Sequence, residues 1–175
     1  EITDLIGFLR AAGADIRGAG TSELTICGAH KLHGATYTIL PDRIETATYL
    51  CMAAGCGGDV ALRRCDGRLL APVIGCLREA GCEIRSVGSE IALKSSGKLT
   101  AVSPVTTAPY PGFPTDAQAI LMAAVLRAKG ESVFRETVFE RRFLHVPELQ
   151  KLGADIVLSG KTARVRGVAH LHGAK

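Results

Sequence analysis

The chain has 175 residues, 47% of them hydrophobic and 22% charged, with a formal net charge of +4. That balance belongs to a folded globular chain and excludes a disordered or fibrous one. The 21 Lys and Arg are scattered and aromatics make up only 5%, so no basic stripe with stacking rings exists for nucleic acid, and the longest apolar run falls short of a membrane span.

In chain order, residues 8–16 (FLRAAGADI) read as the end of an amphipathic helix, a glycine stop at Gly13 and a strand. A second strand is predicted over 23–27. A connector over 29–35 (AHKLHGA) leads to a strand over 36–40, and Asp42 opens a helix over 43–55. A strand follows over 59–63. Residues 76–84 (CLREAGCEI) then repeat the helix-glycine-strand pattern at Gly81, with a second strand over 90–94. A Pro-rich stretch over 107–116 opens a helix over 117–129, and a strand follows over 132–136. Residues 148–156 (ELQKLGADI) give the pattern a third time at Gly153, with a closing strand over 162–166 and a connector over 169–174 (AHLHGA).

The three stop glycines stand 68 and 72 residues apart, and Asp42 and Asp116 are 74 apart. Such a period means a repeated structural unit. The unit is strand, helix, strand, outer helix, strand, strand. Two nearly complete copies occupy 36–100 and 101–167, and the last half of another occupies 1–28. The helices over 43–55 and 117–129 are apolar nearly all round, which predicts burial on every side. The fold class is therefore α/β (α+β). The second connector breaks off where the first continues, and both ends of the chain read as cuts. The six cysteines include no C-x-x-C pair, and no secretory pattern opens the chain. Buried, reduced thiols are the expectation, in a cytoplasmic setting.

Three blocks carry a family resemblance. Residues 107–118 (TAPYPGFPTDAQ) resemble the T-x-P-[YH]-P-x-F-P-T-D-x-Q signature of UDP-N-acetylglucosamine enolpyruvyltransferases. Residues 40–46 (LPDRIET) resemble that family's L-P-D-R-I-E-T-G, with Ala47 in place of the last Gly. Residues 136–143 (ETVFERRF) resemble its E-T-V-F-E-N-R-F, with Arg141 in place of Asn. The blocks lie in matching order, and the resemblance runs along essentially the whole chain.

The resemblance implies two similar domains, each an inside-out α/β barrel of three repeat units, as in the wider EPSP synthase-like superfamily. Six units of roughly 70 residues imply a parent of about 420 residues. Residues 1–35 would close the first domain, 36–41 would cross between domains, and 42–175 would supply two of the three units of the second. The implied reaction moves the enolpyruvyl group of phosphoenolpyruvate onto the 3′-hydroxyl of UDP-N-acetylglucosamine, releases phosphate, and needs no metal or cofactor. The partners implied are those two substrates and the remaining units of the parent, with no nucleic acid and no membrane. A domain short of one unit leaves apolar helix faces open, so self-association through the cut edges is expected.

Asp116 is the candidate catalytic base or hydroxyl-positioning carboxylate, with a helix N-cap as the plainer reading. Arg142 is the candidate cation for phosphoenolpyruvate, since a guanidinium matches its oxyanions with paired donors; one of Arg141 and Arg142 is expected to be simply solvated. Thr115, Val138 and Phe139 are candidate substrate contacts, against ordinary packing as the alternative. Arg43 and Glu45 are candidate hinge or cleft residues, or a helix-surface ion pair. His30, His33, His170 and His172 sit in equivalent connectors, which points to repeat geometry rather than a metal. His145 is expected near the start of an outer helix. The family's cysteine proton donor and its Lys-Asn pair lie outside the chain, so isolated turnover is not expected. Two other readings stay open: a non-catalytic nucleotide-sugar-binding or structural module of the same fold, and a shikimate-type enolpyruvyltransferase.

Overall fold

The computed structural model describes residues 1–28, 31–102 and 104–174, so His30 lies outside the described residues. The chain forms two compact units, Glu1–Pro41 and Asp42–Lys175.

The first unit holds α1 (Ile2–Ala11) and a two-stranded antiparallel hairpin of β1 (Asp15–Arg17) and β2 (Thr25–Cys27). Ile6, Ala12 and Ile16 are its buried apolar residues. Tyr37 closes over α1: its ring meets Phe8 edge-on at 5.9 Å, and its hydroxyl donates to Asp4 at 3.0 Å. The strand expected over 36–40 is absent. Those residues form no regular element and have no ladder partner among the described residues, and without one the backbone gains no interstrand hydrogen bonds.

The second unit runs α2 (Arg43–Cys56), β3 (Gly58–Arg63), a 3₁₀ turn (Gly67–Leu70), α3 (Ala71–Glu79), β4 (Glu83–Val87), β5 (Glu90–Ser95), β6 (Val105–Thr106), α4 (Thr115–Ala124), β7 (Glu131–Arg135), α5 (Val146–Lys151), β8 (Asp155–Ser159) and β9 (Thr162–Arg166). The strands form a three-stranded sheet, β3-β5-β4, and a four-stranded sheet, β6-β7-β9-β8. β6 and β7 are parallel and every other pair is antiparallel. The expected six-element unit is thus complete once, from β6 to β9, and the preceding copy lacks its first strand.

A repeated local device explains the second half of each unit. α1, α3 and α5 end ahead of Gly13, Gly81 and Gly153, whose φ values of 99°, 102° and 91° are open to glycine and costly for other residues. The chain then reverses into a strand whose buried isoleucine carbonyl is held by a side chain of the helix just left. Arg10 donates to Ile16 at 2.6 Å, Arg78 to Ile84 at 2.9 Å and Gln150 to Ile156 at 2.9 Å. The connector histidines repeat too. His33 N–H donates to Ala12 and His172 N–H to Leu152, and each ring lies where a Cβ on Gly13 or Gly153 would meet it at 3.0 Å.

Leu50, Leu70, Val73, Leu77, Ile91, Leu121, Met122 and Phe134 are fully buried in one continuous core of the second unit. α2 and α4 pack together, close enough at Gly55 that a Cβ there would lie 3.0 Å from the Ala124 carbonyl oxygen. Neither helix is buried on every side, contrary to the expectation from composition. On α2, Glu45, Thr48, Tyr49, Met52 and Cys56 form an exposed stripe at helical spacing. An apolar composition says a helix can be covered all round, whereas the described residues cover only one side of it. α4 is also shorter than expected, ending at Ala124 and passing through turns.

All six cysteines are free thiols. Burial pushes Cys51 up to about 12 and Cys76 up to about 11. Cys27 and Cys56 are exposed, which corrects the expectation of general burial. Each sits at an element end, β2 for Cys27 and the open face of α2 for Cys56. No helix among the described residues is long and apolar enough to cross a membrane.

Candidate functional site

The site is built where β6 and β7 end and α4 begins. Beyond β6, the chain from Thr107 to Phe113 makes a tight loop: Ala108 N–H donates to Phe113 at 3.0 Å and Gly112 N–H to Pro109 at 2.8 Å. The Tyr110–Pro111 peptide is cis. Pro114 occupies the N-cap of α4 and Thr115 its first turn.

Asp116 is therefore inside the first turn and caps nothing. The plainer reading holds instead for its repeat counterpart: Asp42 caps α2, accepting from Ile44 N–H at 2.7 Å and Glu45 N–H at 3.1 Å. Asp116 turns outward and pairs with Arg142. Both partners are half-exposed, at 53% and 40% of their side chains, so a ligand can reach them. The guanidinium also lies 5.5 Å above the centre of the Phe139 ring, a cation–π contact. Arg142 thus holds two fixed contacts. Arg141 makes no ion pair among the described residues and is the solvated one of the two.

Behind this pair lies a residue that sequence reasoning did not single out. Glu136, immediately after β7, is 2% exposed. Its Oε1 accepts from the Thr107 hydroxyl at 2.8 Å, Val138 N–H at 2.9 Å and Phe139 N–H at 3.0 Å, and its Oε2 accepts from the Thr115 hydroxyl at 2.8 Å. Burial alone would push this carboxyl up. The Phe139 N–H, the two threonine hydroxyls and the Val138 N–H outweigh it and hold the carboxyl below its ordinary value. Thr137 closes the network, its N–H donating to Thr107 Oγ1 at 2.9 Å and its hydroxyl to the Thr107 carbonyl. The available signal was an acidic residue at a strand end inside a quoted block, and its partners on distant segments were invisible to it.

Val138 and Phe139 are 37% and 53% exposed, so they rim the site rather than pack a core. A cavity of about 540 Å³ adjoins Phe139, lined also by Arg141, Arg142, Phe143, Leu144, Leu158 and Lys161 among others, a volume suited to a small-molecule ligand. Arg43 and Glu45 stand in the first turn of α2, where the Glu45 N–H is taken by Asp42. His145 is at the N-cap of α5; burial, then the nearby Arg142 charge, push its imidazole below its ordinary value, and its buried Nε2 has no hydrogen-bond partner among the described residues. Gln118 in α4 is 1% exposed, with neither amide atom bonded among the described residues. Among the described residues no group of three His, Cys, Asp or Glu could hold a metal ion.

The sequence profile of the EPSP synthase (3-phosphoshikimate 1-carboxyvinyltransferase) family matches residues 1–175. The chain is 48% identical over 176 residues to the UDP-N-acetylglucosamine 1-carboxyvinyltransferase of Finegoldia magna, covering 99% of this chain and 41% of that protein. It is 49% identical to the protein of the same name from Caulobacter vibrioides, covering 100% and 41%. Among solved structures it resembles the enolpyruvyl transferase NikO from Streptomyces tendae, with a TM-score of 0.78 at 30% identity over 94% of this chain and 40% of that one. An EPSP synthase from Acinetobacter baumannii gives 0.60 at 22% identity over 91% and 39%, which is a likeness of fold alone. The chain spans about two fifths of the length of these relatives.

Proposed function

The chain belongs to the EPSP synthase family, and from that premise we propose that it is a section of an enolpyruvyl transferase acting on phosphoenolpyruvate and UDP-N-acetylglucosamine. The sugar 3′-oxygen attacks C2 of phosphoenolpyruvate while the methylene carbon gains a proton. Loss of phosphate from C2 of that adduct, together with a proton from its new methyl group, restores the carbon–carbon double bond and leaves the enol ether. Asp116 takes the hydroxyl proton or orients the hydroxyl for attack. Arg142 meets the carboxylate or phosphate of phosphoenolpyruvate through its paired donors. Val138 presents backbone atoms to the nucleotide sugar, and Phe139 and Thr115 border it. Arg43 and Glu45 brace the cleft or hinge at the equivalent point of the neighbouring repeat.

One observation carries this reading: a carboxylate and a guanidinium, both reachable from solvent, are joined as a pair whose guanidinium lines a ligand-sized cavity. An anion that competes for Arg142 frees Asp116 beside the incoming hydroxyl, so base and cation are delivered together. The relatives' names favour the nucleotide sugar over shikimate 3-phosphate as acceptor.

In this reading residues 1–35 close a first domain, 36–41 cross over, and 42–175 are two of three units of a second domain. The remaining units cover the exposed α2 stripe and bring the proton donor. The isolated chain is inactive and pairs with a second copy through that stripe; a compact, monodisperse monomer in sedimentation argues against the pairing. The complete transferase works in the cytoplasm, at the first committed step of peptidoglycan synthesis, and so serves cell shape and division. The test is phosphate release by the complete parent polypeptide with phosphoenolpyruvate and each acceptor in turn. Release with UDP-N-acetylglucosamine and not with shikimate 3-phosphate is expected. No release with either acceptor overturns the assignment, and a reading frame that stops at Lys175 favours a non-catalytic binding module.

A further inference from the structure

We propose that Glu136 is the positioning residue of this site, a buried anion that ties the β6 loop, the first turn of α4 and the backbone of 138–139 into one rigid frame. The substrate roles used below rest on the function proposed above; the frame itself rests on geometry.

A carboxylate that is 2% exposed is costly to keep charged unless its lone pairs are filled. Here four donors fill them, and they come from three separate stretches of chain: Thr107, Thr115, and the amides of Val138 and Phe139. The backbone of Glu136 is itself fixed, its N–H donating to the Lys161 carbonyl at 2.9 Å across the β8–β9 hairpin. Each anchored residue is next to a functional one. Thr115 precedes Asp116 in α4. The amides of 138 and 139 belong to the residues that border the nucleotide sugar, and Phe139 in turn carries the Arg142 guanidinium on its ring. Arg142 is reached at second hand, through that ring and through Thr115 and Asp116, so the amide contacts act first on the sugar side of the site.

The two oxygens are not equivalent, and this makes the proposal separable from simple stability. Oε1 accepts three bonds and Oε2 one, from a hydroxyl that can rotate. A glutamine with its oxygen at the Oε1 position keeps three acceptances, and its amide donates to a turned Thr115 hydroxyl. Glu136→Gln preserves the frame without the charge, whereas Glu136→Ala strands every donor.

Two measurements test this. The first is steady-state kinetics in the complete parent polypeptide. Glu136→Ala is expected to raise KM for UDP-N-acetylglucosamine at least tenfold and lower kcat about tenfold, with KM for phosphoenolpyruvate within threefold of wild type. Glu136→Gln is expected to restore the sugar KM to within threefold. A purely structural carboxylate would lower the melting temperature in both variants and leave the KM split unmoved, and that result overturns the proposal. The second is hydrogen exchange of the Val138 and Phe139 amides in this chain. Protection is expected in wild type and in Glu136→Gln, and at least a tenfold loss in Glu136→Ala; equal exchange in wild type and Glu136→Ala overturns the proposal. Should wild-type parent release no phosphate, the functional reading falls and the exchange result alone decides the frame.

Discussion

Replacing Gly167 with alanine should damage the fold more than any other single methyl addition among the glycines. A Cβ at that position would stand 1.7 Å from the Ala128 carbonyl oxygen and 2.7 Å from its carbon, where ordinary contact begins at 3.4 Å. The obstacle is backbone, so no side chain can swing aside. Overpacking of a core costs about 1–3 kcal/mol when neighbours can yield. Here the retreat also strains two flanking bonds, Gly167 N–H to Gly130 at 3.1 Å and Val168 N–H to Leu126 at 2.9 Å, each worth about 1 kcal/mol. A total loss of about 3–5 kcal/mol follows, and with a urea slope of about 2 kcal/mol/M the midpoint falls by about 1.5–2.5 M. The same contact seats the turn that follows α4, and the other end of α4 carries Asp116. Gly75 is the control. It lies within α3 with nothing in reach of an added Cβ, so Gly75→Ala should gain about 0.5–1 kcal/mol. A Gly167→Ala midpoint within about 0.3 M of wild type refutes the steric reasoning.

Arg142→Ala should leave stability within about 1 kcal/mol, because a half-exposed ion pair is worth little, yet lower kcat/KM in the complete parent about 100-fold; Arg142→Lys should recover only part, lacking the planar fork. Equal losses of stability and activity would refute the assignment. His145 has a folded value below its unfolded one, so its contribution to stability is whole above about pH 6.5 and is lost as pH falls toward the lowered value. Glu136 behaves likewise in the acid range, contributing above its unfolded value and losing that contribution as pH falls through its lowered one. Urea melts from pH 8 to 5 should show a decline that His145→Gln abolishes. In native thiol labelling, Cys56 should react first, Cys27 more slowly because its bond to Asp15 raises the thiol, and Cys51 only after unfolding. Rapid labelling of Cys51 would contradict its burial.

How much was legible in the sequence depended on range. The glycine stops and the helix-to-strand clamps of Arg10, Arg78 and Gln150 act over six residues, so their pattern repeats in the letters and the repeated unit could be read directly. The strand expected over 36–40 failed because a strand is a relation between segments and its alternation alone supplies no partner. The exposed stripe on α2 was hidden by composition, which counts apolar residues without saying which side of a helix is covered.

The two aspartates show the limit most sharply. Asp42 and Asp116 hold matching places in the repeat, and a rule based on residue type assigns both to helix caps. Asp42 obeys it. At Asp116 the helix has already begun, with Pro114 at the cap position and the Thr115 hydroxyl drawn to Glu136, which lies 21 residues away in sequence. That starting point puts Asp116 in the first turn, free of capping and facing Arg142. The departure from the local rule therefore originates in the buried carboxylate, a contact that no window along the chain contains. Thr115→Val removes only the Oε2 bond. If the first turn of α4 kept its position without it, the Asp116–Arg142 pair should survive unchanged in activity. If Glu136 holds the turn, kcat should fall while Arg142→Ala-like losses in phosphoenolpyruvate binding stay absent.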